Sequence, residues 1–248
     1  TKDFDPFLMM DAFDSKDPKD YIKGFPMHPH RGIETFTYLV KGEIDHQDTL
    51  NNSGVINDGD SQWMTAGSGI LHQPAPHMLG LQVWINLPAK EKMTTPKYFD
   101  ISDSMVKRID EKGAKITLIA GRYNGLYGEE DKSMEGVKGN HLDVDFLTIE
   151  MEPNTTITLN TFPEKRLFAY LFSGDAKFGA KEYAVDAKSA TLFSFGERLQ
   201  IMSGEEGLHL FLAAGKPLNE PIAWGGPIVM NTREELRQAF KELDNGTF

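Results

Sequence analysis

The chain has 248 residues, 40% of them hydrophobic, enough for one large or two small domains with real cores. It contains no cysteine, which excludes disulfides, thiolate metal ligands and a cysteine nucleophile. A net charge of -11, with basic residues only in short patches such as Lys107-Arg108, argues against a direct nucleic-acid surface, and no stretch approaches the roughly 20 apolar residues of a membrane span.

No charged segment followed by an apolar one marks a secretion signal, so the cytoplasm is the expected compartment. The chain begins at Thr1, which leaves room for residues upstream. Its opening, Asp5-Pro6-Phe7-Leu8, leads an apolar segment, and residues 15–20 read as a polar loop. Next comes Phe25-Pro26-Met27-His28-Pro29-His30-Arg31-Gly32-Ile33-Glu34. Side chains two apart on an extended strand share a face. His28, His30 and Glu34 therefore share a parity and could converge on one point. Imidazole nitrogen with carboxylate oxygen suits a borderline divalent metal such as Fe, Zn, Ni or Cu.

Residues 35–40 alternate and are rich in β-branched and aromatic side chains, which predicts a strand. Lys41-Gly42-Glu43 reads as a turn, with 44–48 as the return strand of a hairpin. Residues 51–54 read as a loop and Asn57-Asp58-Gly59-Asp60 as a turn. A short strand over 61–66 is broken by Gly67-Ser68-Gly69, and Ile70-Leu71-His72 follows. Residues 79–87 predict a strand with one buried face. The stretch from 88 to 113 is charged and weakly periodic, a connection with a short helix near 104–109.

Further strands are predicted over 115–120, 141–150, 156–159, 167–173, 176–178, 191–195, 199–202 and 207–214, separated by glycine turns at 173–175 and 203–207. Tyr38-Leu39-Val40-Lys41-Gly42-Glu43 is similar to Tyr170-Leu171-Phe172-Ser173-Gly174-Asp175. Two copies of a small β-barrel account for both. Thr232-Arg233-Glu234-Glu235 forms a capping box, and Leu236, Ala239, Phe240 and Leu243 mark one helical face ending at Asn245-Gly246. That face is expected to pack on a barrel.

Five of the seven histidines, His28, His30, His46, His72 and His77, lie in the first half. If the halves are duplicates, only the first has the side chains a metal needs. His46 reads as a surface residue and His77 as a weak substitute ligand. Arg31 could steer an anionic substrate or pair with a carboxylate.

The segments Gly24…His28-Pro29-His30-Arg31-Gly32-Ile33-Glu34…Gly42 and Gly59-Asp60…Gly67…Gly69-Ile70-Leu71-His72 resemble the two motifs of the cupin superfamily. His-Pro-His-Arg-Gly, Gln62-Trp63-Met64-Thr65-Ala66-Gly67, Asp5-Pro6-Phe7-Leu8 and Gly226-Pro227-Ile228-Val229-Met230-Asn231-Thr232 are similar to signatures of one cupin family, the pirins. The resemblance runs nearly end to end. It implies an all-β bicupin with a short C-terminal helix. Residues 1–113 would form the N-terminal metal-binding cupin domain with its linker. Residues 114–248 would form a C-terminal cupin domain without metal, plus the helix.

The resemblance also implies one mononuclear divalent metal, iron(II) or alternatively Zn, Ni, Cu or Mn. In pirins its ligands are the histidines matching His28, His30 and His72 and a glutamate two residues after the last. Some bacterial members open quercetin with O2, which implies a flavonol-like substrate and a quercetin 2,3-dioxygenase-type activity. A mammalian member is a nuclear protein that assists transcription factors. The alternative is therefore a redox-responsive regulatory module with a protein partner and no catalysis. Loss of metal binding, with the barrel kept for interaction, is a third reading.

The chain departs from the family at Pro74, which stands where pirins carry the glutamate and cannot ligate. Three readings follow: three histidines alone hold the metal, Glu34 takes the vacant place, or residues are missing from the 73–77 segment. Phe36, Tyr38, Trp63, Met64 and Trp84 could line a flat apolar cleft for the substrate, although Trp63 and Met64 cannot both face the metal. Plain barrel core is the simpler role for most of them.

Overall fold

The structure, a computed structural model, describes residues 2–14, 28–48 and 53–248; the side chains of 45–48, 72–78 and 130 are outside the description. The expected loop at 15–20 and the side chains of His46, His72, Pro74 and His77 thus lie outside it. Residues 105–217 form one compact unit, and 1–104 together with 218–248 form the other. The division expected at 113/114 differs from this in two ways. The break comes earlier, and the C-terminal helix goes with the first unit rather than the second.

The first unit contains β1 (Phe7–Asp14), β2 (His28–His30), β3 (Ile33–Asp48), β4 (Ser53–Ile56), β5 (Ser61–Thr65), β6 (Ile70–Asn86) and β7 (Lys97–Ile101). β6 pairs with β1, β2 and β3, while β3 also pairs with β4 and β5. The second unit contains β8 (Lys107–Glu111), β9 (Ala114–Ala120), β10 (Arg122–Tyr123), β11 (Met134–Glu135), β12 (Val144–Met151), β13 (Thr156–Asn160), β14 (Arg166–Phe178), β15 (Tyr183–Asp186), β16 (Ala190–Leu192) and β17 (Arg198–Gly215). Here β17 pairs with β12, β13 and β14, while β14 also pairs with β15 and β16. The strands β1 to β6 and β12 to β17 therefore follow one pairing plan, and β13 takes the place that β2 has in the first unit.

The two similar hexapeptides occupy matching places in this plan. The register of β3 shifts between Leu39 and Lys41, and that of β14 shifts between Leu171 and Ser173 and again between Gly174 and Ala176. Gly42 and Gly174 both adopt positive φ, 118° and 78°. The turns expected at 41–43, 173–175 and 203–207 are thus bulges within continuous strands. A long partner runs beside each strand on both sides of the irregularity, so the ladder resumes after it instead of reversing. At Gly174 a Cβ would lie 2.0 Å from the Gly207 carbonyl oxygen, so both the conformation and the close approach require glycine.

The helix expected near 104–109 is also absent. Lys107–Glu111 instead pairs with Ala114–Ala120 in a hairpin. Its two-residue turn is Lys112-Gly113, both at positive φ (49° and 74°), the geometry that matches strand twist. Residues 53–54, expected in a loop, begin β4.

In the second unit, Ile116, Leu118, Leu147, Ile149, Leu167, Leu171, Leu210 and Leu212 alternate along their strands and fill the barrel interior. In the first unit, Leu8, Ile33, Met64, Ala66, Ile70, Trp84 and Val229 cluster on one face. The chain ends in a hairpin of β18 (Ala223–Gly225) and β19 (Ile228–Met230), then α1 (Arg233–Asp244). Thr232 and Glu235 form the expected capping box. Leu236, Ala239 and Leu243 pack on Ile228 and Met230, so the apolar helix face is covered by its own unit. No described helix is long and apolar enough to cross a membrane.

Candidate metal centre

Strand β2 lies antiparallel to the start of β6, with the backbone of His28 opposite His72 and that of His30 opposite Ile70. His30 is fully buried. Its Nδ1 lies 3.4 Å from the carbonyl oxygen of Pro227. A carbonyl only accepts, so Nδ1 carries the proton and Nε2 the lone pair. The ring of His28 stands edge-on to that of His30 at 4.8 Å, and the Trp84 indole does so from another side at 4.9 Å. Burial, reinforced by the neighbouring His28 and opposed by the Pro227 hydrogen bond, pushes the pKa of His30 down to about 3. His30 is therefore a neutral imidazole with a fixed tautomer, as a metal ligand must be. The two adjacent imidazoles of His28 and His30 are of the type that suits a borderline divalent ion, and the strand register sets the backbone of His72 opposite His28.

Glu34 is not brought to this pair. Gly32, at φ 74°, breaks the parity that links 34 to 28 and 30. A Cβ at Gly32 would sit 1.9 Å from the Val229 carbonyl oxygen, so the bend is fixed by the C-terminal hairpin. Beyond the bend, Ile33 joins the Met64 and Trp84 face that His30 touches. Glu34 then points to the opposite face. It is fully buried there and accepts hydrogen bonds from Trp63 Nε1 (2.9 Å) and Thr65 Oγ1 (2.8 Å). The candidate cleft residues divide in the same way. Met64 and Trp84 share the face that His30 touches, while Phe36 packs on Trp63 at 5.7 Å beside Glu34. Tyr38 has the parity of Phe36.

Arg31 pairs with a carboxylate. Its Nη1 donates to Glu242 of α1 at 2.5 Å, and its guanidinium lies 4.1 Å from the centre of the Phe248 ring. Two further supports have no local pattern that ties them to the histidines. Lys92, 2% exposed, donates from Nζ to the Gly32 carbonyl oxygen (2.7 Å) and to Asn86 Oδ1. Burial, partly offset by Glu220 and Glu235, lowers its pKa to about 7. The other is the hairpin of β18 and β19, which supplies the Pro227 carbonyl and the ring of Trp224, 6.3 Å from Trp84. A lysine in a charged connection reads as solvated, and a contact across 197 residues leaves no local pattern.

A family model described as Pirin matches residues 1–85, and one described as the Pirin C-terminal cupin domain matches residues 146–248. A relative from Pseudomonas aeruginosa, provisionally named a quercetin 2,3-dioxygenase, is 37% identical over 98% of this chain and 86% of its own length. The chain belongs to the pirin family. A crystal structure of a quercetin 2,3-dioxygenase from Acinetobacter baumannii superposes on this pirin with a TM-score of 0.86, at 29% identity, over 100% of this chain and 87% of that one. A bacterial pirin from Escherichia coli, solved in complex with nickel(II), shares the fold at 19% identity (TM-score 0.61), over 86% of this chain and 84% of that one. The chain is a bicupin: its two units are the two cupin domains, and the candidate metal centre lies in the first.

Proposed function

We propose that this pirin is a metal-dependent oxygenase of the quercetin 2,3-dioxygenase type, acting with O2 on flavonol-like phenols. Its ligands are His28, His30 and His72, and its metal is iron(II) or another borderline divalent ion. The observation that carries the reading is the strand register that sets His28 opposite His72, beside a buried and neutral His30. Proline at position 74 has no donor, and Glu34 is committed to Trp63 and Thr65, so three imidazoles are the donor set. The relatives named as quercetin 2,3-dioxygenases support the substrate class.

A bound metal would supply Lewis acidity toward the hydroxyl and ketone oxygens of the substrate and open positions for small ligands. The protein's own part is positional. Pro227 holds the His30 tautomer, and the buried faces of Trp84 and Met64 keep water from one side and offer an apolar wall to a planar phenol.

Metal content and aerobic loss of quercetin absorbance, followed with O2 uptake, test this. The expected result is about one metal per chain and turnover, with both lost in His30→Ala. Stoichiometric metal with no quercetin consumed would overturn the oxygenase reading.

A further inference from the structure

We infer that the barrel of the second unit is a binding site for a small amphipathic anion, an apolar or aromatic body carrying one carboxylate. A cavity of about 430 Å³ opens at one end of that barrel. Volumes of this order hold small ligands, and barrel mouths are a common place for them. Its walls include Leu147, Leu159, Leu167, Leu199 and Leu212, all members of the barrel's interior core.

The duplicated fold shows which end this is. Asn160 of β13 and Arg198 of β17 both line the cavity, and they are backbone partners. In the first unit the corresponding strands β2 and β6 carry His28, His30 and His72. In the second they carry Thr156–Asn160 opposite Arg198–Met202, with no histidine among them. The strands that carry imidazoles in the first unit carry the inward leucines Leu159 and Leu199 in the second, with Arg198 beside them at the cavity.

The charges at the mouth favour an anion. Lys165, 2% exposed, donates to Asp143 (2.8 Å) and Asp145 (2.7 Å), and Arg122 pairs with Asp143 at 3.2 Å. These two cations and two carboxylates balance. Arg198 is left over: it has no ion pair among the described residues, and its guanidinium is held 3.6 Å above the centre of the Tyr127 ring. Arg166, likewise without an ion pair among the described residues, lies 4.1 Å above the Phe195 ring, so the mouth has uncompensated positive charge in a chain of net charge -11. Among the described residues, the exposed large aromatics of this unit are Tyr127, Tyr183 and Phe195. All three are at this opening. Tyr183 lines the cavity, Phe195 lies between the lining residues Ser194 and Gly196, and Tyr127 supports Arg198. An apolar chamber with an aromatic rim and guanidinium groups free of ion pairs matches a ring-bearing carboxylate.

This inference does not depend on the activity proposed above. Calorimetric titration of the full-length protein with 2-naphthoate, and with 2-naphthamide as its neutral counterpart, tests it. Expected are saturable one-to-one binding of naphthoate, weaker binding of the amide, and naphthoate binding retained in His30→Ala. Arg198→Gln should weaken naphthoate about tenfold, the loss of one charge-assisted contact. Ala214→Leu, which fills the cavity from β17, should abolish binding. The proposal fails if naphthoate does not saturate at millimolar concentration, if His30→Ala abolishes binding, if the amide binds equally well, or if Arg198→Gln binds like the wild type.

Discussion

Replacing Glu34 with Gln separates a metal ligand from a structural carboxylate. In the structure both carboxylate oxygens are used, one by Trp63 Nε1 at 2.9 Å and the other by Thr65 Oγ1 at 2.8 Å, with the side chain fully buried. Glutamine keeps one acceptor but turns an NH2 toward the second donor, leaving two buried donors facing each other. A hydrogen bond to a buried charged group is worth about 1.5–3 kcal/mol, and an unsatisfied buried donor costs about 1–3 kcal/mol. Glu34→Gln should therefore cost about 3 kcal/mol in urea unfolding. Thr65→Val, which removes one donor and leaves the carboxylate bonded to Trp63, should cost about 1–2 kcal/mol. Because the two residues share one contact, the double variant should lose less than the sum of the singles. Elemental analysis of the refolded, metal-reconstituted variant should still find about one metal per chain. Folded Glu34→Gln protein that no longer binds metal would refute the reasoning and return Glu34 to the ligand set. So would a stability equal to that of the wild type.

Lys92 predicts a pH dependence. Its pKa is about 7 in the folded chain, below the ordinary 10.5, so between these values the unfolded chain binds more protons and stability must rise with pH. The penalty of burying the charged amine is fully present below pH 7 and gone above 10.5, with a slope of up to about 1.4 kcal/mol per pH unit between them. Urea midpoints at three pH values, compared between wild type and Lys92→Met, should show the variant flatter; equal slopes would rule this out. Gly32→Ala adds a left-handed backbone penalty of about 1–2 kcal/mol to a Cβ placed 1.9 Å from the Val229 oxygen. It should lower the melting temperature sharply and reduce metal stoichiometry, because the same hairpin carries Pro227. A variant with normal metal content would show that the bend does not position His30.

Why Glu34 misleads is a matter of backbone geometry. Alternation is a sound rule only while the strand is unbroken, and it correctly groups His28 with His30, whose rings meet at 4.8 Å. Between 30 and 34 the chain passes Gly32 at φ 74°, and the parity count is lost there. The backbone of His72 is set opposite His28 by strand pairing, which needs no count across a bend. Glycine misleads in the same way at 42 and 174. In the sequence a glycine beside a charged residue is a turn, but whether the chain reverses or only bulges depends on whether a partner strand continues past it. That partner lies 36 residues away for Gly42, opposite Met78, and 34 away for Gly174, opposite Leu208.

The composition of each strand therefore shows through, as in the alternation of 79–87 and the capping box of the last helix, while its length does not. The supports of the site are illegible for a related reason. Lys92, Pro227 and Glu242 act through Gly32, His30 and Arg31, respectively, and no local pattern ties any of them to those partners. The duplication turns this limit into information. Two barrels share one strand plan, and only one has imidazoles at the mouth. The corresponding strands of the other turn Leu159 and Leu199 inward and set Arg198 at the cavity, the basis for a different ligand chemistry on the same scaffold.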